Sequence, residues 1–175
     1  MDWGLVRAIV VLPGTVLVFV PAVVLWLSHG TSAQASVAGA GEAAPWLAVV
    51  AATVGLWLAV WTVRLFATYG DGTPAPWEPP AKLVVRGPYR HVRNPMISGV
   101  VLMLGAEALV LQSWPLAAWL AFFFAANAIY IPVVEERGLE KRFGDDYRTY
   151  KANVPRLIPR LTAWPGPARH RAPNE

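Results

Sequence analysis

The sequence predicts an all-α integral membrane protein of about four transmembrane helices, the last two forming a hairpin that runs into a cytoplasmic amphipathic helix. Three observations carry that expectation. Hydrophobic residues fill 55% of the 175 positions and charged residues only 15%, against roughly 25% charged in an ordinary soluble domain. The charges are gathered between long apolar blocks rather than spread along the chain. Nine tryptophans suit bilayer interfaces, where one edge of the indole is wet and the rest apolar.

The first span is expected from about Leu5 to Leu27. Arg7, near its start, is placed to snorkel to the interface, and a membrane helix tolerates Pro13 and Pro21. The run is too long for the core of a cleaved signal peptide and reads as a retained span. Ser28 to Pro45 is rich in Ser, Ala and Gly and reads as a flexible loop. The second span runs from about Trp46 to Phe66, with Arg64 at its exit.

Thr68 to Pro95 holds too many Gly and Pro residues for a long helix. Its aromatics, Trp77 and Tyr89, point to an ordered loop packed on the membrane face. The third span, about Met96 to Leu111, is short, at ~16 residues against about 20 for a full crossing. Gln112, Ser113 and Pro115 make a tight turn into the fourth, about Trp114 to Val134. Beyond it Leu139, Phe143, Tyr147 and Tyr150 recur at helical spacing, and the helix stops near Val154 and Pro155. The chain thus divides into two N-terminal spans over 1–67, a unit of loop, hairpin and helix over 68–160, and a disordered Pro-rich tail over 161–175.

Orientation follows from the basic residues. The Ser28–Pro45 loop has no Lys or Arg, the Thr68–Pro95 loop has four, and the chain from Glu135 onward has nine. The positive-inside bias puts the latter two, and both termini, in the cytoplasm, with the protein in the inner or plasma membrane. The net charge of +4 sits beside apolar blocks, so membrane lipid rather than nucleic acid is the expected partner. The lack of cysteine removes disulfides, thiolate nucleophiles and Cys-ligated metals. His29, His91 and His170 are too scattered for a metal site, and neither a P-loop nor a dinucleotide fingerprint is present.

Four features could carry chemistry. Glu135 and Glu136 are adjacent carboxylates at a membrane boundary, where mutual repulsion and nearby lipid both disfavour their charge. A cationic ligand group relieves that cost; a solvated helix start is the alternative. The run Gly87-Pro88-Tyr89-Arg90-His91-Val92-Arg93-Asn94-Pro95-Met96 joins a turn to donors, acceptors and a stacking face, or else holds lipid headgroups. Glu107 is an intramembrane carboxyl, a functional candidate by default or a hydrogen-bonded helix contact. Asn127, most simply a helix-to-helix contact, shares a helical face with Tyr130, Ile131 and Val134 that leads to Glu135.

The run LVVRGPYRHVRNPM, a short hairpin, then EERGLEKRFGDDYRTYKANVPRLIP resembles the isoprenylcysteine carboxyl methyltransferase and phospholipid methyltransferase superfamily, over about Lys82 to Pro159. The preceding GDGTPAPWEPP looks like bacterial members. The resemblance implies a membrane methyltransferase without a Rossmann-type domain, using S-adenosylmethionine in a pocket made by loop, hairpin and following helix. By position, Lys82, Leu83, Val84 and Tyr89 would contact the cofactor, with Asn94, Pro95, Met96 and Ile97 as a second segment. Glu135 would meet its polar groups, with Glu136 beside it. Glu107, to take a proton from the acceptor, and Arg90, as a donor in the loop, are the candidate catalytic residues.

Isoprenylcysteine enzymes have His where Asn94 stands, whereas phospholipid N-methyltransferases have Asn-Pro-Met. Both usually have Tyr in place of Ile97. An Arg for a prenylcysteine carboxylate is replaced by Ile131. The implied acceptor is a lipid or small hydrophobic molecule with an amine, thiol or carboxylate, entering from the membrane. The rival readings are a small four-helix transporter and a nonenzymatic membrane scaffold. Sterol reductases share the C-terminal likeness but are much longer. Gly99 and Gly105 leave room for close helix contacts, and the oligomeric state is open.

Overall fold

A computed structural model describes residues 11, 13–70 and 81–166. Arg7, Trp77 and most of the Pro-rich tail lie outside these. Every regular element among the described residues is helical. Helix α1, Thr15–Ser28, opens with a π-helical stretch, Thr15–Phe19, before regular α-helix from Val20. Pro21 explains the widened turns, because its ring removes a backbone donor and crowds the turn before it.

Helix α2, Ala43–Tyr69, is followed after the loop by a 3₁₀ turn, Gly87–Arg90, and by helix α3, Pro95–Val110. Pro95 takes the first turn of α3, where a missing N–H costs nothing. Gln112 adopts a left-handed backbone and Ser113 caps helix α4, Trp114–Tyr130, by accepting from the Leu116 N–H. A second π-helical stretch, Ile131–Glu135, contains Pro132 and leads into helix α5, Glu136–Asn153, which is broken at Gly144.

Two helical stretches, Ala43–Tyr69 and Trp114–Asn153, are long and apolar enough to cross a membrane, and Thr15–Ser28 and Pro95–Val110 are shorter apolar helices. Only 17% and 6% of the most apolar windows of the two long stretches are buried within the protein, unlike the core helices of a soluble domain. Phe19, Trp26, Trp46, Leu56, Trp57, Phe122 and Ile129 all lie exposed. Such faces suit lipid contact.

Helices α2 and α3 pack at Gly55 and Gly99. A Cβ on Gly55 would lie 2.6 Å from the Gly99 carbonyl, and one on Gly99 2.8 Å from the Gly55 carbonyl. Gly99 therefore serves packing within the chain. At the end of α3 away from the Asn-Pro turn, Ser36 and Ala38 donate backbone N–H groups to the Leu111 and Val110 carbonyls, and Gln112 bridges Glu42 and Ser36. The Ser28–Pro45 loop is thereby tied to the α3–α4 turn.

Gly87 has φ +53°, and a Cβ there would meet the Trp61 ring at 2.8 Å. Gly87→Ala is expected to combine backbone strain with displacement of that ring, costing about 1–3 kcal/mol. Thermal unfolding in detergent checks it. An unchanged midpoint would show that the turn adapts freely.

Candidate active site

The motif loop enters along the end of α2, where Ala81 and Lys82 donate to the Gly70 carbonyl. The next residues alternate as an extended segment does. Leu83 and Val85 pack on a cluster of Tyr147, Tyr150, Val154 and Trp164, while Val84 joins Leu65 and Tyr89, backed by Trp61 and Phe66. The segment is thus wedged between α2 and α5. Beside it a cleft of about 390 Å³ is lined by Thr68, Tyr69, Lys82, Leu83, Val84 and Arg86, with the Arg86 guanidinium 4.2 Å from the Tyr69 ring centroid.

Tyr89 and Val84 are buried in apolar packing. The Tyr89 ring meets Phe66 edge-on, and its carbonyl accepts from the Tyr150 hydroxyl at 2.7 Å. Burial first, then the nearby Tyr150 and Glu135, push the Tyr89 phenol well above its ordinary range, so it stays a neutral donor. Of the two residues expected to contact the cofactor here, the Tyr89 ring packs in this core and Val84 packs in it while bordering the cleft. Leu83, Val84 and the exposed Lys82 all border the cleft.

Pro95 is fully buried, while Asn94, Met96 and Ile97 are half-exposed. The Asn94 carbonyl accepts from the Ser98 N–H and hydroxyl, and its side chain does not cap α3. Its amide is therefore not committed to ending the helix.

The acidic pair divides. Glu135 is half-buried at the end of the π-helical stretch. Burial, then the charge of Glu136, push its carboxyl above the ordinary carboxylate value. Glu136 is 1% exposed and meets three cations. Arg156 donates to both its oxygens at 2.8 and 3.2 Å, Arg93 lies 3.1 Å away and Lys151 3.2 Å. Burial alone would raise this carboxyl. The Arg156 hydrogen bond, the Arg93 charge and the Lys151 hydrogen bond outweigh it and hold the group below its ordinary value. Lys151 also pairs with Glu140 at 2.7 Å. The Arg93–Glu136 contact ties the Asn-Pro turn to the acidic pair.

Of the candidate catalytic residues, Glu107 stands apart and Arg90, in the motif turn, is engaged by the C-terminal segment. Glu107 lies near the far end of α3, roughly 18 Å along the axis from Pro95 at 1.5 Å per residue. The Arg90 Nε donates to the Trp164 carbonyl. Asn127 donates to the Phe123 carbonyl of its own helix at 2.9 Å, rather than to a neighbouring helix. The face expected to link Asn127, Tyr130, Ile131 and Val134 is also broken. Ile131 is buried, whereas Tyr130 and Val134 are exposed, and the π-helical stretch from Ile131 changes the angular step to Val134.

Sequence reasoning missed the segment after α5. Arg93 donates its N–H to the Pro155 carbonyl, Arg160 to the His91 carbonyl and Trp164 to the Arg90 carbonyl, while the His91 Nδ1 donates to the Arg160 carbonyl at 2.8 Å. Trp164, expected in a disordered tail, is buried against Tyr150 and Val154. The one sequence signal was a lone Trp beside the Pro-rich run.

The phospholipid methyltransferase family profile matches residues 43–146, from the start of α2 to within α5. Over 78 residues the chain is 37% identical to methanethiol S-methyltransferase 2 of Bradyrhizobium diazoefficiens, a match covering 43% of this chain and 28% of that protein. The chain thus matches well under two thirds of that relative. With a profile match over more than half its length, including the α2–α3 pair and the acidic pair, this chain belongs to the phospholipid methyltransferase family.

Proposed function

We propose that this protein transfers a methyl group from S-adenosylmethionine to a lipid or small hydrophobic acceptor at the cytoplasmic membrane face. The reading includes four membrane spans, with α5 and the segment after it on the cytoplasmic side and residues 68–160 as the cofactor-binding unit. The observation that carries it is the 3.1 Å contact between Arg93 and Glu136, which joins the two halves of the motif at one end of the helices. Family membership and the methanethiol S-methyltransferase likeness support methyl transfer.

The residues present suit the cofactor. Glu135 is a half-buried carboxylate whose charge is disfavoured by its surroundings, a penalty that an ammonium beside it removes. Asn94 offers an amide at the neighbouring turn, and the cleft along Lys82, Leu83 and Val84 offers polar and apolar surface together. Met96 and Ile97, half-exposed after buried Pro95 at the start of α3, are the further residues assigned to the cofactor.

S-adenosylmethionine, when bound, supplies an electrophilic methyl group on a sulfonium. The protein's contribution is alignment of the acceptor atom in line with that methyl. The apolar walls of Trp61, Leu65 and Phe66 keep this end of the helices poor in water, which favours a transition state in which the sulfonium charge is spread between donor and acceptor. Glu135 holds the ammonium and takes no proton from the acceptor. Phospholipid amine and small thiol are the leading acceptors, the thiol because of the named relative.

Calorimetric titration of S-adenosylhomocysteine into the detergent-purified protein tests the reading. Wild type should bind saturably. Glu135→Ala and Asn94→Ala should each weaken binding by about tenfold or more, the loss of one hydrogen bond to a charged group. A folded, monodisperse wild type that binds nothing would overturn the proposal.

A further inference from the structure

The buried ion cluster is not fully used by the fold. The Arg93 side chain is 8% exposed and meets Glu136 through Nη2. Its Nε and Nη1 are buried and meet no acceptor among the described residues. Leaving a donor of a charged group unpaired inside a protein is costly. Glu136 does not require this arginine, because Arg156 and Lys151 already hold both its oxygens. The fold thus keeps a buried guanidinium in place with donors to spare.

The surroundings favour an anion at those donors. Arg93, Lys151 and Arg156 are three cations set against the directly paired carboxylates Glu136 and Glu140, and the bonds to Glu136 use only one of the Arg93 nitrogens. The buried hydroxyl-bearing rings Tyr147 and Tyr150 stand close enough to feel the Arg93 charge. A planar guanidinium matches the oxygens of a carboxylate or phosphate better than an ammonium does. One residue before Glu136 stands Glu135, the carboxylate whose own charge lacks such support.

We propose that Arg93 is an oxyanion-binding residue which, paired with Glu135, makes the motif end a receptor for a zwitterion. Glu135 takes the ammonium and Arg93 the anionic group. Two sources carry this chemistry: the amino-acid end of the cofactor, with its carboxylate, and a phosphoethanolamine headgroup, with its phosphate. The inference rests on the proposed methyltransferase reading and assigns Arg93 within the same site.

The test compares S-adenosylhomocysteine with its decarboxylated analogue, which keeps the ammonium and lacks only the carboxylate. Both are titrated calorimetrically into wild type and Arg93→Lys, a change that keeps the charge beside Glu136 but gives up the planar fork. If the carboxylate is the ligand, wild type prefers S-adenosylhomocysteine by about tenfold to a hundredfold. Arg93→Lys then erases the preference while the analogue binds as before. If the phosphate is the ligand, neither protein shows that preference, and short-chain phosphatidylethanolamine raises the melting temperature of wild type but not of Arg93→Lys. Equal weakening of both nucleosides in the variant, with the same lipid response in both proteins, would reduce Arg93 to a structural part and overturn the inference. Should the variant fail to fold, the wild-type comparison still decides, because absence of both the nucleoside preference and the lipid effect is fatal to it. Failure of wild type to bind either nucleoside would instead strike the methyltransferase reading itself.

Discussion

Replacing Glu136 by Gln should lower the stability of the protein by about 3 kcal/mol, toward the lower end for a broken buried ion pair. Glutamine has nearly the same shape, so the loss is one of charge. Arg93, with its side chain 8% exposed, is left without its counter-charge, whereas Lys151 and Arg156 reach solvent enough to recover part of their hydration. The effect carries a pH signature. The Glu136 carboxyl is held below its ordinary value of 4.5, so the folded state favours the ionised form. Its contribution is fully present above that ordinary value and is lost as pH falls through the lower folded value. Thermal unfolding of wild type and Glu136→Gln in detergent should show a wide gap at neutral pH that closes in acid. A gap that stays constant across the acid range would mean that the ion cluster does not contribute through the Glu136 charge.

The second large effect is expected where α2 crosses α3. Gly55→Val and Gly99→Val each put side-chain atoms where backbone now lies, against the Gly99 and Gly55 carbonyls respectively. Neither carbonyl can swing aside as a flexible side chain would, so the helices must part. Overpacking of this kind costs about 1–3 kcal/mol, with the upper end expected at a backbone contact. The two changes should be less than additive, because either one already opens the crossing. Binding of S-adenosylhomocysteine should weaken too, since the Asn94–Ile97 segment begins α3 while the cleft lies at the end of α2. Gly105→Ala is the control, as its Cβ would find only Leu120, at 3.8 Å. Melting temperatures and elution profiles in detergent check the series. Wild-type behaviour of Gly55→Val would show that the close crossing is not needed.

Much of the helical layout was legible along the chain. Pro95 marked the first turn of α3, and Gln112, Ser113 and Pro115 marked the turn into α4. These are local features, set by residues that lack a donor, cap a helix or accept an unusual backbone angle. The helical face drawn through Asn127 splits already at Tyr130 and Ile131, and beyond Ile131 the π-helical turns change the constant step that periodicity assumes.

The sequence by itself determined the class of protein: apolar blocks with sparse charge, an Asn-Pro turn, and an acidic pair after an apolar run. Only the tertiary structure decided what each charged residue does. It set Glu135 apart from Glu136, seated Arg93 in the interior, and brought Arg156, Arg160 and Trp164 back onto the motif loop. Hydrophobic patterning is a property of neighbours along the chain and can be read there. The partner of a buried charge is set by which distant segments meet, and electrostatic pairing in a low-dielectric interior depends on distances of a few ångströms that no spacing along the chain encodes.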